Sequence, residues 1–271
     1  MADNAAPSSS NLVTSQQHFT VSNWDAILPL MQQMADETAS MRAASHYDWT
    51  RADNQVLFRS TFSDAEALLD HFDSVVTPLL ESFLMPGVAS QEKPLTITGT
   101  PNELAKIQER LGALDAEYFE TPEGFQTGYI WQTGIDNSEM ATGQGTFCSS
   151  QTTFKVNDWN SAAPIVREFI DRTGLEKGCT YFGWSSKGED LSWHGNYASG
   201  SALRDHFVGV APLIAALNSG PAKLVKIELH GPSNELDKAR AATGGIEPVI
   251  RYESDHRVQR LVQRFDHPKQ S

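Results

Sequence analysis

The hydrophobic positions of the 271-residue chain form short alternating runs, typical of strands, and longer runs with helical spacing. The alternating runs predict strands at His18–Val21, Ala44–Thr50, Gln55–Phe62 and Leu95–Gly99, and a last strand near Ala116–Phe119. The helical runs predict helices after Trp24, after Ser63 and from Pro101 to about Leu111. The first half is therefore expected to be a β-α-β-β-α-β unit with one small extra helix and strand.

The same pattern occurs a second time. Val56–Phe72 recurs as Leu191–Phe207, 135 residues later, and both stretches carry Asp-His-Phe at their end. Second-copy strands are expected at Phe154–Val156, Thr180–Ser185, Asp190–Tyr197, Leu224–His230 and Pro248–Tyr252, and helices after Trp159, at Gly200–Asn218 and at Asn234–Ala241. Solenoid repeats are far shorter than this period, which indicates a whole domain duplicated and fused.

The duplication divides the chain into five segments. We expect a disordered tail at 1–17, a first ferredoxin-like repeat at 18–120, a linker at 121–151, a second repeat at 152–255 and a C-terminal helix or tail at 256–271. Within the linker, Tyr129-Ile-Trp131 is expected to pack against a domain.

Each unit would have helices on one face of its sheet and would leave the other face, expected to be aromatic, in water. Packing the two sheets face to face would bury those rings and stabilise the fold. We therefore predict an α+β fold in which two tandem units form an intramolecular dimeric α+β barrel. The chain would be a pseudo-dimer, and a further homodimer stays open.

Composition and charge limit the classes of partner and cofactor that the chain is expected to bind. A net charge of −13 and a pI near 5.0 argue against nucleic acid and anionic membrane surfaces. No apolar run approaches a membrane span, and no secretory signal is evident, so a cytoplasmic location is expected. Cys148 and Cys179 lack metal-ligand spacing, and Cys179 reads as an inert buried thiol. No phosphate loop or metal motif has its required context, so no cofactor or metal is expected.

Several residues carry a family resemblance: Trp49, Phe62 with Ser63–His71, Tyr181–Trp184, Tyr197 with Ala202–His206, and His230-Gly-Pro232 with Asn234-Glu-Leu236. This pattern resembles the antibiotic-biosynthesis-monooxygenase-like family of dimeric α+β barrels, which includes proteins described as quinol monooxygenases. The resemblance implies a cofactor-independent monooxygenase acting on a small aromatic or quinol-like substrate. Single-domain relatives often carry a Glu two residues before the strand-three aromatic, where this chain has Ser60 and Gly195.

Such an enzyme needs a base, an apolar cavity and a hydrogen bond to the developing oxyanion. The hypothesis places the working half in the second repeat: His206 or His194 as base, and Asn196 and Tyr197 as polarising groups. The expected substrate-binding residues are Trp184, Trp193, Tyr181, His71, Trp49 and Arg59.

Each role has a structural alternative. His71 and His206 could be core-edge histidines, and His194 could lie on a solvent-facing strand edge. Arg59 could bind a ligand carboxylate or, as we favour, form a salt bridge with Asp48.

Two other functions stay open. One is a non-catalytic stress or ligand-binding module that holds a small aromatic or apolar molecule. The other is a haem-binding or haem-degrading barrel using His206, Asn196 and Trp184, against which no Asn accompanies Phe19 or Phe154 in the first strands.

Overall fold

The structure, a computed structural model, describes residues 11–41, 43–112, 114–122, 126–129, 146–243, 246 and 249–254. The predicted C-terminal helix and Trp131 lie outside these residues. The strands are β1 Val13–Val21, β2 Ala44–Ala52, β3 Gln55–Phe62, β4 Ala89–Gln91, β5 Leu95–Gly99, β6 Ala116–Glu120, β7 Gln126–Tyr129, β8 Cys148–Val156, β9 Cys179–Lys187, β10 Asp190–Tyr197, β11 Ala222–Gly231 and β12 Val249–Ser254.

The helices are α1 Trp24–Ser40, α2 Ala65–His71, α3 Thr77–Phe83, α4 Pro101–Leu111, α5 Trp159–Thr173, α6 Gly200–Asn218 and α7 Ser233–Thr243. A π-helical segment, Phe72–Val76, joins α2 to α3. Its counterpart in the second repeat is the continuous helix α6. Among the helices of the described ranges, none combines the length and the hydropathy needed to cross a membrane.

The strands form the predicted α+β barrel. Hydrogen-bonded neighbours run β10-β8-β11-β12-β2-β3-β1-β5-β6-β9, and β9 pairs with β10 to close a ten-stranded ring. Strand β4 adds to β1, and β7 adds to β9. The first repeat contributes the order β5-β1-β3-β2 and the second β11-β8-β10-β9, so both halves place their strands alike.

The small extra strand of each half closes the barrel. Strand β6 runs parallel to β5 and then pairs across to β9 through Glu120 and Ser186. Strand β12 runs parallel to β11 and pairs with β2 through Glu253 and Arg51. Because Arg51 and Ser186 are 135 residues apart, the two junctions occupy equivalent positions.

Strands β1 and β8 begin earlier than expected, at Val13 instead of His18 and at Cys148 instead of Phe154. Strand β1 thus starts inside the predicted tail, and β8 starts inside the predicted linker. Both extensions are rich in Ser, Thr and Gln, so hydrophobic alternation did not reveal them. Residues of this kind fit because one of their faces lines the barrel interior.

The expectation that aromatic residues fill the barrel was wrong. Two groups of aromatic strand residues face the helices instead: Phe19, Trp49 and Phe58 belong to one core cluster with α1, and Phe154, Trp184 and Trp193 belong to another with α5. The barrel interior instead carries polar side chains. Eight strands leave a barrel interior that side chains just fill, and ten leave a wider one in which polar groups retain space.

A buried glutamate braces each repeat in the same way. Glu103 Oε2 accepts from the Ala65 backbone N–H at 2.8 Å, and Glu235 Oε2 accepts from the Gly200 N–H at 2.9 Å. Each carboxylate also bonds a lysine three residues further on. These bonds tie the small helix of each repeat to the start of its histidine-bearing helix.

Candidate functional site in the first repeat

A cavity of about 110 Å³ lies between the sheet and the helices of the first repeat. We call it the first-repeat cavity. Strand β1 contributes Phe19, β2 contributes Trp49 and β3 contributes Phe58, while α1 contributes Met34 and α3 contributes Phe83. Two residues of the π-helical segment, Phe72 and Val76, also line it, and the remaining apolar residues are Leu80, Leu95 and Leu114.

Stacked rings form one wall of this cavity. The Trp49 and Phe83 rings lie 5.6 Å apart at an interplanar angle of 12°, and the Trp49 and Phe58 rings lie 4.9 Å apart. Phe19 is 5.5 Å from Phe83. The Trp49 indole N–H is turned away from solvent and donates to the Tyr47 hydroxyl at 2.7 Å. The wall is therefore a rigid π surface suited to a flat apolar ligand.

The polar residues of the lining are Gln17, Gln91 and Asp115. Gln91 and Asp115 are exposed, so they mark the side on which the cavity meets solvent. Gln17 is buried, and its Nε2 donates to the Lys93 carbonyl at 2.7 Å. This bond anchors the amide and leaves its Oε1 as an acceptor.

The π-helical segment shapes the cavity. A π turn adds a residue to the helix and rotates the following side chains, and such segments are frequent at functional sites. Here the segment follows His71 and carries the lining residues Phe72 and Val76. The buried apolar residues of this repeat also form two clusters, where those of the second repeat form one.

His71 lies behind the cavity wall, fully buried. Its Nε2 bonds the Thr38 hydroxyl at 2.8 Å, and its ring lies 4.9 Å from Phe62 and 6.2 Å from Phe58. Burial lowers the pKa of His71 to about 3, so the ring is neutral at physiological pH. The surroundings are those of a core histidine.

The second repeat: filled by aromatic rings

The corresponding space in the second repeat holds packed rings. Phe169 of α5 lies 5.2 Å from Trp184 and 5.3 Å from Trp193, and the two indoles lie 5.1 Å apart. Phe182 lies 5.9 Å from Trp193. Phe169, Trp193 and Phe182 stand where the first repeat has Met34, Phe58 and Tyr47. Larger side chains occupy two of the three positions.

His206 is sealed within this packing. Its ring lies 5.0 Å from Tyr197 and 5.3 Å from Phe182, and its Nδ1 bonds the Glu176 carboxylate at 2.8 Å. The side chain is fully buried.

The departure at Gly195 has a steric cause. A Cβ at Gly195 would stand 2.2 Å from the Tyr197 hydroxyl, so any larger residue would clash with that ring. The hydroxyl lies 3.5 Å from the Ser150 hydroxyl, which also accepts from the Trp193 indole N–H at 3.1 Å. In the first repeat Ser60 and Ser15 bond each other at 2.7 Å instead. Neutral hydroxyls thus lie at this position in both halves.

The remaining predicted residues lie on the opposite face of the sheet. By strand alternation His194 and Asn196 face the barrel interior, as does Tyr181, and Arg59 does the same in the first repeat. Arg59 Nη2 bonds Asp48 at 2.6 Å, which confirms the predicted salt bridge. Burial alone would raise the pKa of Asp48, but Arg59 and His46 hold it well below its usual value.

The predicted residues therefore form no single site. His206, Tyr197, Trp184 and Trp193 share the second repeat's core, whereas His194, Asn196, Tyr181 and Arg59 belong to the barrel face. The proposed haem set is split across the sheet, because Trp184 faces the helices and Asn196 faces the barrel. Of the first-repeat residues, Trp49 lines the cavity and His71 lies behind it.

Of the residues that line the first-repeat cavity, the sequence analysis named only Trp49 as substrate-binding; the others, among them Gln17, Met34, Gln91 and Asp115, were missed. One signal could have found the cavity: Met34 and Phe58 align with the larger Phe169 and Trp193. As for the thiols, Cys148 and Cys179 are free and buried, and burial raises the pKa of each, so the predicted inertness of Cys179 agrees with its surroundings.

No protein-family model and no curated protein matches the chain. Among solved structures, the chain is similar to a Fusobacterium nucleatum protein described as a "putative monooxygenase", with a TM-score of 0.55 and 8% identity over 81% of this chain and 90% of that one. A Lactobacillus acidophilus protein with the same description matches with a TM-score of 0.49 and 8% identity, over 81% and 91% of the two chains.

MupZ from Pseudomonas fluorescens is 27% identical over 45% of this chain and 95% of its own, with a TM-score of 0.37. The Fusobacterium nucleatum structure establishes a shared fold. The predicted resemblance to dimeric α+β barrels of the monooxygenase-like type is thereby confirmed for the fold.

Proposed function

The chain has a monooxygenase-like α+β-barrel fold, and we propose that it is a cofactor-independent monooxygenase of a small aromatic or quinol-like compound bound in the first-repeat cavity. The observation that carries the proposal is this cavity, walled by Trp49, Phe58 and Phe83. Its volume of about 110 Å³ is of the order of the ~150 Å³ engineered apolar cavity that binds benzene. The expected substrate is therefore a single ring.

This proposal moves the working site from the second repeat to the first. Rings packed around Phe169 occupy the second repeat's equivalent space, and its His206 is bonded to Glu176. A substrate there would have to displace well-packed aromatic side chains, which is costly.

The polar groups of the cavity fit proton removal from a phenol. Asp115 lies at the solvent side, where a carboxylate can accept the proton. Gln17 Oε1 can accept a hydrogen bond from a second hydroxyl and orient the ring against Trp49. With hydroquinone, the substrate supplies the electrons: one atom of dioxygen enters the ring to give hydroxybenzoquinone, and the other leaves as water.

The test has two steps. Hydroquinone is first titrated into the protein in the absence of oxygen, with Trp fluorescence as the measure of binding. Oxygen uptake is then measured in air. Met34→Phe should fill the cavity and weaken binding at least roughly tenfold, since a ring would occupy the ligand's space. Phe169→Met, the reverse change at the equivalent position, should leave first-repeat binding unchanged. Equal binding by Met34→Phe and the unaltered protein would refute the site.

Oxygen uptake separates catalysis from binding. Uptake that depends on hydroquinone and falls in Asp115→Asn supports the monooxygenase. Saturable binding without uptake would instead support the second candidate, a non-catalytic module for a small aromatic or apolar molecule. The composition of the lining favours that candidate. Among the described residues, Asp115 is the only ionisable one that lines the cavity, so few groups could act in catalysis.

A further inference from the structure

The barrel interior holds a second cavity, of about 200 Å³, on the opposite face of the sheet from the first-repeat cavity. We call it the barrel cavity. Its lining comes from strands of both repeats and is mainly polar, including Gln16, His18, Lys93, Gln151, His194 and Lys226. None of these side chains takes part in the function proposed above.

Two glutamines give this cavity unmet hydrogen-bonding capacity. Gln16 and Gln151 are 135 residues apart, at equivalent positions of β1 and β8, with 3% and 8% of their surfaces exposed. Within the described part of the chain, the Oε1 atom of each has no hydrogen-bond partner. Gln16 Nε2 donates to His18 Nε2 at 3.1 Å, so that amide is held in place. Buried amide oxygens of this kind need a donor, and the described residues do not supply one.

Around the barrel cavity, the described charged side chains form ion pairs except for Lys93. Lys226 bonds Glu228 at 2.7 Å, and the acidic lining residues Glu117 and Asp190 bond Lys187 and Lys155. For Lys93, the described residues include no ion-pair partner within salt-bridge distance. A free ammonium at the edge of a polar cavity favours an anion.

The histidines of the cavity are neutral. Burial, with Lys93, Lys226 and Arg59 nearby, lowers the pKa of His18 to about 3. Burial, with Arg59 and Lys226, lowers the pKa of His194 to about 3 as well. Both rings can therefore donate and accept hydrogen bonds without adding charge, and the positive potential that acts on them would also act on a bound anion.

We propose that the barrel cavity binds a small hydroxycarboxylate, with its carboxylate on Lys93 and its hydroxyls donating to Gln16 Oε1 and Gln151 Oε1. An anion without hydroxyls would pair with Lys93 and leave both amide oxygens without donors. A neutral polyol would donate to both amide oxygens and leave Lys93 without a counter-charge. The combination is met by a three-carbon acid with two hydroxyls.

Three probes with the same three-carbon skeleton test the proposal by calorimetry with the full chain: glycerate, propanoate and glycerol. Glycerate should bind, and propanoate and glycerol should each bind at least roughly tenfold more weakly, since each lacks one set of partners. Binding of glycerate no tighter than that of propanoate would refute the role of the glutamines. No saturable binding of glycerate would show that the cavity holds water alone, and would overturn the proposal.

Variants separate this site from the first-repeat cavity. Lys93→Met should weaken glycerate binding roughly tenfold, because a charged partner is lost. Lys177→Met, at another exposed lysine in the loop before β9, should have no effect. Met34→Phe should leave glycerate binding intact, so failure at one site is distinguishable from failure at the other. Gln151→Leu should also weaken glycerate binding, because it removes one of the two amide oxygens. If that variant does not fold, Lys93→Met still decides, because Lys93 is exposed. Unchanged binding in Lys93→Met would overturn the proposal.

Discussion

Met34 and Phe58 line a cavity in the first repeat, and at the equivalent positions of the second repeat Phe169 and Trp193 lie in ring contact, 5.3 Å apart. The strands and their pairing order are otherwise alike. The helix that follows differs too, because a π-helical segment interrupts it in the first repeat and α6 is continuous in the second. The two repeats therefore differ in side-chain volume at equivalent core positions and in the path of the helix that packs beside them.

The largest expected effect is on the packing of the filled repeat. Phe169→Ala should lower the free energy of unfolding by about 4 kcal/mol, because the other rings cannot close over the lost volume. Met34→Ala should cost about 2 kcal/mol, at the low end for its type, because its side chain already borders a cavity. Urea denaturation measures both. Equal losses would mean that the two interiors are packed alike.

The buried His71 of the first repeat should make the free energy of unfolding depend on pH. The folded-state pKa of His71 is about 3, below the ordinary value of 6.5, so its stabilising contribution is complete above pH 6.5. Between pH 6.5 and 3 the unfolded chain binds a proton that the folded chain excludes, and stability falls as pH falls. The loss from this one group should reach about 3 kcal/mol by pH 4.5.

The check on this prediction is a variant. His71→Gln should reduce the slope of unfolding free energy against pH between 6.5 and 4.5, and the slope that is left should come from groups such as His18 and His194, whose pKa values burial also lowers to about 3. A pH profile with the slope of the unaltered protein would show that His71 titrates normally in the fold.

The buried glutamates provide a comparison in which the repeats should not differ. Glu103→Ala and Glu235→Ala each leave a backbone N–H without its acceptor, at Ala65 and Gly200. Each change should cost about 2 kcal/mol of unfolding free energy. Thermal and urea unfolding of the two variants should agree closely, and a large difference would mean that the bracing is not shared.

The smallest expected effect comes from making the second repeat resemble the first. Phe169→Met combined with Trp193→Phe should cost about 1 kcal/mol of stability, since both changes keep apolar side chains of similar shape. The freed volume should create a second, weak site for a single aromatic ring. Calorimetric titration should then show two sites per chain, and a stoichiometry of one would show that the rings had repacked.

Much of the architecture could be predicted from the sequence. The bounds of β3, β5, β10 and α6 agree with the predicted ones, because each has clear periodicity and clear ends. The starts of β1 and β8 did not follow, because their barrel-facing residues are polar and hide the alternation. The side of the sheet on which the rings pack could not be predicted either. Alternation assigns residues to two faces without saying which face meets the helices.

The candidate site was harder to predict for a physical reason. Histidine and tryptophan are common in active sites, so the sequence analysis placed His206 and Trp193 in the predicted site. In the structure both residues instead fill the core of the second repeat. A cavity is a difference in volume between neighbouring side chains, and hydrophobic periodicity carries no information about volume. The π-helical segment at Phe72–Val76 also has no signal in that periodicity.

The most direct test of the central claim is a crystal structure of the protein under xenon pressure, because xenon enters apolar cavities without needing polar partners. The account predicts xenon between Met34, Trp49 and Phe58 in the first repeat, and none among Phe169, Trp184 and Trp193 in the second. Xenon in the second repeat's aromatic core, or its absence beside Trp49, would contradict the assignment of the ligand site to the first repeat.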